Sequence, residues 1–251
     1  MKKLIFLLVI ACIPLMSIAQ KNEGRVIYST KMKMQIPERF KRMISKEQLE
    51  KMQNRVIMHQ LLFNTTETMF KSYEDPNKEV DPKARRGFMG FGRNENQMYY
   101  NTSKQEVVEQ RSFLGRKFLI KDKPKQYKWK LSTETKKIQG YDCRKATLKE
   151  EKRMLEAWFT MQIPIASGPQ GYGQLPGLIL EMKSTSISDG KKDNGKFEST
   201  TTASKIEFKK LDADAIKAPK KGKKVTRKKF NKIVKDKMQE MREQRRNRGK
   251  F

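Results

Sequence analysis

The stretch Arg25-Val26-Ile27-Tyr28-Ser29-Thr30-Lys31-Met32-Lys33-Met34-Gln35-Ile36, halted by Pro37, decides the fold class. In an extended chain Val26, Tyr28, Thr30, Met32, Met34 and Ile36 share one side, while Arg25, Ile27, Ser29, Lys31, Lys33 and Gln35 share the other. A period of two is that of a half-buried strand, and proline ends it because it has no N–H to give a neighbour. Tyr127, Trp129 and Leu131 alternate with lysines in the same way, and Ile206 and Phe208 repeat the pattern. Strand-like runs at 55–64, 68–73, 97–102, 116–121 and 155–165 complete the series. Ser188-Asp189-Gly190 and Asp193-Asn194-Gly195 carry turn chemistry. The one helical interruption is 45–55, with Ser45 as cap and Gln48 three residues on, and 74–96 reads as a long exposed loop. Strands in succession without helical crossovers predict a mainly β domain, an antiparallel meander curled into a half-open barrel. Its concave apolar face either fills as a core or accepts a ligand, and periodicity does not separate the two.

Composition narrows the function. The chain has 251 residues, with 57 Lys and Arg against 28 Asp and Glu, for a net charge of +29. Its 13 Phe, 7 Tyr and 2 Trp are enough to build a core, which sets it apart from disordered basic chains. One apolar run excludes a multispan helical membrane protein. Two cysteines exclude a disulfide scaffold, and a single histidine removes most catalytic triads and zinc sites.

That apolar run sits at the N-terminus. Lys2 and Lys3 precede Leu4 to Leu15, and Ser17 and Ala19 stand where a signal peptidase requires small residues. Residues 1–19 therefore read as a signal peptide, leaving Gln20 as the new N-terminus. The alternatives are an uncleaved anchor, or lipid attachment at Cys12, whose context Val9-Ile10-Ala11-Cys12 faintly resembles a lipid-attachment box. Export leaves Cys143 as the lone thiol, read as a buried small hydrophobe, with an intermolecular bridge or a redox site as alternatives.

The other end shifts in composition. From residue 217 to 251 there are 16 basic and 3 acidic residues, a net of +13. Phe230, Ile233, Val234, Met238 and Met241 follow helical spacing after Thr226, a suitable N-cap. The reading is a β domain over 20–216 and a basic amphipathic helical tail over 217–251. The tail either docks its stripe on the domain or presents Lys228, Lys229, Lys232, Arg242, Arg245 and Arg246 to an anionic membrane surface or acidic partner. Nucleic acid is not the expected partner of an exported chain.

One block goes beyond composition. Lys137-Ile138-Gln139-Gly140-Tyr141-Asp142-Cys143-Arg144-Lys145-Ala146 is followed by Ala157-Trp158-Phe159-Thr160 and Ile163-Pro164-Ile165. Gly168-Pro169 and Gly173-Gln174-Leu175-Pro176-Gly177-Leu178-Ile179-Leu180 come next. Order and spacing closely resemble the GLPGLI family of exported proteins from Gram-negative bacteria, with Gln174 as the one departure from the literal motif. The resemblance is strong over 137–182. It implies a periplasmic or envelope location and a layout similar to half-open β-barrels such as periplasmic lipoprotein carriers. It hands over no activity and no catalytic residue.

Pro176-Gly177 suits the centre of a type II turn. The block is then either a corner that closes the sheet or a binding site, with Tyr141, Trp158 and Tyr172 as walls and Gly173, Leu175, Pro176 and Gly177 beside them. His59, in a strand run, reads as a satisfied structural residue, and the methionines read as packing rather than as copper ligands. No metal and no cofactor is expected. The sequence thus points to an exported, non-enzymatic envelope protein that binds an apolar ligand or a partner segment on its curled sheet. The alternative is a scaffold subunit of an envelope complex, and a hydrolase or redox enzyme is the weakest reading.

Overall fold

The computed structural model describes residues 22–34, 45–75, 96–187 and 197–248. The expected leader, Ile36 and Pro37, most of the 74–96 loop and the turns at 188–195 lie outside the described residues. The described residues form twelve strands: β1 (Gly24–Met34), β2 (Val56–Phe63), β3 (Glu67–Ser72), β4 (Gln97–Asn101), β5 (Glu106–Phe113), β6 (Arg116–Asp122), β7 (Lys130–Ile138), β8 (Tyr141–Glu150), β9 (Arg153–Thr160), β10 (Leu178–Ser186), β11 (Phe197–Phe208) and β12 (Lys223–Val225). A short helix, α1 (Lys46–Gln53), precedes β2, and a long one, α2 (Arg227–Arg248), follows β12.

All twelve strands form one open sheet in the order β12-β6-β5-β4-β3-β2-β1-β11-β10-β9-β8-β7. Two meanders, β1–β6 and β7–β11, are joined where β1 pairs antiparallel with β11, from Gly24 opposite Phe208 to Met34 opposite Phe197. The mainly β, antiparallel, half-open architecture expected from the period-two runs is what the chain adopts. Two hairpins owe their tightness to left-handed pairs: Leu114-Gly115 between β5 and β6 (φ 47° and 74°) and Gln139-Gly140 between β7 and β8 (φ 50° and 80°). Positive φ at both central residues is the twist that two-residue hairpins require.

Several boundaries differ from the sequence reading. Tyr127 and Trp129 precede β7 rather than belonging to it, and β9 stops at Thr160 instead of running to Ile165. Strands β5 and β8 lie in charged stretches whose alternation is weak. The division at residue 217 is not a structural joint. Leu211, Ala215, Ile216 and Ala218 pack together against Leu62, Met69, Tyr99, Val108 and Leu119, and β12 adds to β6 in parallel. Beyond it, Phe230 of α2 meets Phe118 of β6 with ring centroids 5.3 Å apart. Thr226 caps the helix as expected, its Oγ1 accepting from Lys229 N at 3.2 Å.

The β1–β11 seam is polar on one side and apolar on the other, as alternation dictates. Val26 and Tyr28 are fully buried. The Tyr28 hydroxyl donates to Ile179 O at 2.7 Å, and burial pushes its pKa far up. A register shift after Ile27 leaves Ser204 as the extra residue, and its hydroxyl donates to Ile27 O at 3.1 Å. At the end of the seam Arg25 faces Glu207 and donates through Nε and Nη2 to Oε2, at 2.8 and 2.6 Å. Lys205 reaches Glu207 Oε1 at 2.7 Å.

Lys205 and Arg25 together hold the Glu207 carboxyl down at about 2, against an ordinary value of 4.5. A carboxyl held below its unfolded value contributes stability above that value and loses it as the pH falls toward the folded one. Urea midpoints should therefore fall as the pH is lowered from 4.5 toward 2, and Glu207→Gln should flatten that part of the profile. An unchanged slope in the variant would show that other carboxyls dominate acid unfolding.

Candidate binding cleft

The connection between β9 and β10, residues 161–177, crosses back over the sheet instead of turning tightly. Three i-to-i+2 hydrogen bonds shape it: Ile165 N to Ile163 O at 2.8 Å, Ser167 N to Ile165 O at 2.7 Å and Gly177 N to Leu175 O at 2.7 Å. Pro164 and Pro176 occupy the centres of two of these three-residue turns, where a fixed φ suits and no donor is needed. Pro176-Gly177 is thus not a type II turn, and position 177 requires glycine, because its φ is 151° and a Cβ there would strike Thr160 O. The loop then reaches the other meander: Ser167 Oγ lies 3.3 Å from Thr68 Oγ1 of β3. Gly171 (φ +79°) lies so close to β4 that a Cβ would overlap Met98 Sδ.

Where the loop stops, a cleft of about 930 Å³ opens. The β1–β5 side contributes Thr30, His59, Phe70, Ser72, Met98, Tyr100, Glu109 and Arg111. The loop contributes Gln170 to Gln174, the β6–β7 connection Lys125 and Tyr127, the β8–β9 turn Glu150 and Arg153, and the first turns of α2 Arg227 and Asn231. Gln174 ties two of these segments together, accepting from Tyr127 N at 2.9 Å and donating to Lys125 O at 2.8 Å. The residue that departs from the literal motif is therefore the staple of the cleft rim.

Two carboxylates organise the charge. Glu109 accepts from Arg111 Nε at 2.8 Å, from Arg227 Nη1 at 3.1 Å and from Arg227 Nη2. Glu150 accepts from Lys125 Nζ at 2.6 Å, Arg153 Nε at 2.7 Å and the Tyr172 hydroxyl at 3.2 Å. Burial alone would raise the Glu150 pKa, but the hydrogen bonds from Lys125 and Arg153 outweigh it and hold the carboxyl below its ordinary value. Tyr127 and Tyr172 pack at 5.1 Å beside Trp129, whose Nε1 donates to Gly173 O at 2.9 Å. Burial pushes the Tyr127 pKa to about 12, so the phenol stays protonated. His59 lies flat on Phe70 at 5.0 Å and within 3.5 Å of Thr30 Oγ1, its pKa lowered by burial, which keeps the imidazole neutral near pH 7.

The residues singled out in the sequence separate. Tyr172 and Gly173 line the cleft; Tyr141, Trp158, Leu175, Pro176 and Gly177 do not. Trp158 and Tyr141 pack with Cys143 and Ile163 in one cluster, whereas Tyr172 and Leu175 belong to another, built on Leu155, Ala157 and Phe159 from the opposite face of β9. The three aromatics therefore do not form one wall. Leu175 and Gly177 are buried and Pro176 is exposed. Cys143 is fully buried, and its thiol pKa is raised to about 11 by that burial. On α2, Lys228, Lys229, Lys232, Arg242 and Arg246 are exposed and lie outside the cleft, while the Arg245 side chain lies outside the described residues. The apolar stripe Phe230, Ile233, Val234, Met238 and Met241 is half-buried throughout. Glu109, Arg111, Lys125, Arg153 and Arg227 escaped the sequence reading because nothing in their spacing shows that four distant segments meet.

Trp158 lies under the Lys136 ammonium, 4.3 Å from the ring centre, with Nε1 donating to Glu156 at 3.1 Å. As a buried ring away from the cleft it is a stability residue. Trp158→Ala should cost about 3–5 kcal/mol in urea unfolding, and the half-buried Trp129→Ala about 2 kcal/mol. A cost below about 1 kcal/mol at Trp158 would show that its burial is not needed for the fold.

No curated protein matches the chain. Two solved crystal forms of PNGF-II, P21 and C2, share the fold with TM-scores of 0.52 and 0.53 at 16% identity. They match 85% and 84% of this chain but only 33% and 32% of their own, so the chain spans about a third of the length of these relatives. The family model described as "N-glycanase peptide, N-terminal domain" matches residues 94–231, more than half of the 251. The chain belongs to the N-glycanase N-terminal domain family.

Proposed function

We propose that this domain is a non-catalytic recognition module of an exported envelope protein, holding a saccharide-bearing ligand in the cleft between the β9–β10 loop and the β1–β5 meander. One observation carries the reading: the lining of the 930 Å³ cleft interleaves hydroxyls and amides, with Thr30, Ser72, Gln97, Gln170, Gln174 and Asn231 among them, with apolar and aromatic surface from Met32, Phe70, Met98, Tyr100 and Tyr127. Such a mixed lining matches the alternating hydroxyls and apolar faces of sugars better than a wholly apolar acyl chain. The relative's name supports the class: a glycanase acts on glycans, and its N-terminal domain is the part this chain resembles. Outside the cleft, the exposed cations of α2 suit an anionic envelope surface.

Titration calorimetry with a glycopeptide carrying one N-linked oligosaccharide tests this. Binding should be seen, Ser72→Trp at the exposed lip of the cleft should weaken it at least about tenfold with the melting temperature kept, and the glycopeptide mass should be unchanged after incubation. Absence of binding by the folded protein would remove the saccharide reading, and release of the oligosaccharide would remove the non-catalytic one.

A further inference from the structure

The two carboxylate groups of the cleft are not balanced. Glu109 is shared by Arg111 and Arg227, and Glu150 by Lys125 and Arg153, so each group of three carries one positive charge in excess. Exposure sharpens the asymmetry. The carboxylate side chains are 5% and 14% exposed, whereas Arg111, Arg227, Arg153 and Lys125 are 36%, 34%, 46% and 66% exposed. The acids are the buried supports and the cations are the face a ligand meets. Among the other described residues lining the cleft, Asp122 and Lys123 cancel, leaving the excess in place.

The guanidinium groups are also pre-organised. Arg111 and Arg153 each donate Nε to a carboxylate, which fixes the side chain while leaving further N–H groups for an acceptor. A cation held this way loses little freedom on binding, unlike the solvated lysines of α2. We infer that the cleft selects an acidic saccharide, one whose terminal sugar bears a carboxylate, with Arg153 and Lys125 on one side and Arg111 and Arg227 on the other supplying the charge-assisted hydrogen bonds. The inference rests on the saccharide reading and adds the charge of the ligand. An acidic peptide would satisfy the same cations, but the hydroxyl and amide lining favours the sugar.

The test compares one glycopeptide in two forms, with sialic acid termini and with those termini removed, at low and at physiological salt. The sialylated form should bind roughly tenfold tighter, and Lys125→Gln/Arg153→Gln should erase that preference. Arg153→Lys should retain part of it, and Lys228→Gln/Lys229→Gln/Lys232→Gln on the helix should leave it intact. Lys125→Gln alone, at the most exposed of the four cations, guards against loss of fold in the double variant, with circular dichroism as the control. Equal affinity for the two forms would overturn the acidic assignment and leave the saccharide reading standing. Loss of the preference in the helix variant rather than the cleft variant would assign it to general surface charge and overturn the site. Competition by a polyglutamate peptide at equal potency would overturn the sugar in favour of acidic peptide. Binding of neither form would remove the saccharide reading as well.

Discussion

The pairing of β1 with β11 is the interaction on which the rest of the molecule depends. It brings together residues such as Thr30 and Thr201, whose hydroxyls lie 2.9 Å apart across 171 positions of sequence. Without it the chain is two meanders, each with its first or last strand exposed as an edge. The loop entropy of so distant a contact is recovered only when the seam zips along its full length, from Gly24 to Met34. Its register is fixed by alternation, since a slip of one residue would put Arg25 in the fully buried place of Val26 or, in the other direction, Ser29 in that of Tyr28.

Once the seam exists, the β9–β10 connection finds the opposite meander within reach. The loop is held within its crossing by Ser167 on Thr68, and the strand it leads into is held by the Tyr28 hydroxyl on Ile179 O. Its middle fits β4 only because Gly171 has no side chain. The crossing closes part of the concavity as core, with Ile163 and Ile165 packed against Val26 and Leu61, and leaves the remainder as the cleft. The motif block divides between these two parts. Most of it is a structural corner, and only the stretch from Gln170 to Gln174 faces the cavity.

How much of this was legible follows from the physics. The seam strand β1 could be read because its alternation is strong, and α2 because its stripe and cap are local signals. Strand β8 was hidden: Tyr141–Glu150 mixes small, charged and apolar residues, and its extended state is imposed by pairing with β7 and β9 rather than by its own pattern. Strand β12 was invisible for the same reason, since Lys-Lys-Val has no period and is ordered by β6 alone. Of the proposed site, Tyr172 and Gly173 were found because glycine and proline mark the loop. The charged groups were not, because a buried carboxylate such as Glu109 looks in sequence like any solvated one. Its two cations come from two residues along its own strand and from 118 residues away in α2.

The family match and the folding unit have different limits, and the difference bears on how the domain works. The matched segment, 94–231, starts just before β4 and ends in the second turn of α2, so it leaves β1, β2 and β3 outside. Yet β3 is the partner of β4, β1 is the partner of β11, and the β9–β10 loop rests on Thr68 of β3. A chain restricted to the matched residues would keep Lys125, Glu150 and Arg153 but would lose Thr30, His59 and Phe70 from the cleft. The segment also ends just where Arg227 closes on Glu109 and Phe230 on Phe118. The first turns of α2 are therefore wall, bound to the β-domain by an ion pair and a ring contact. The exposed cations that follow extend from that wall and stay accessible whether or not the cleft is filled.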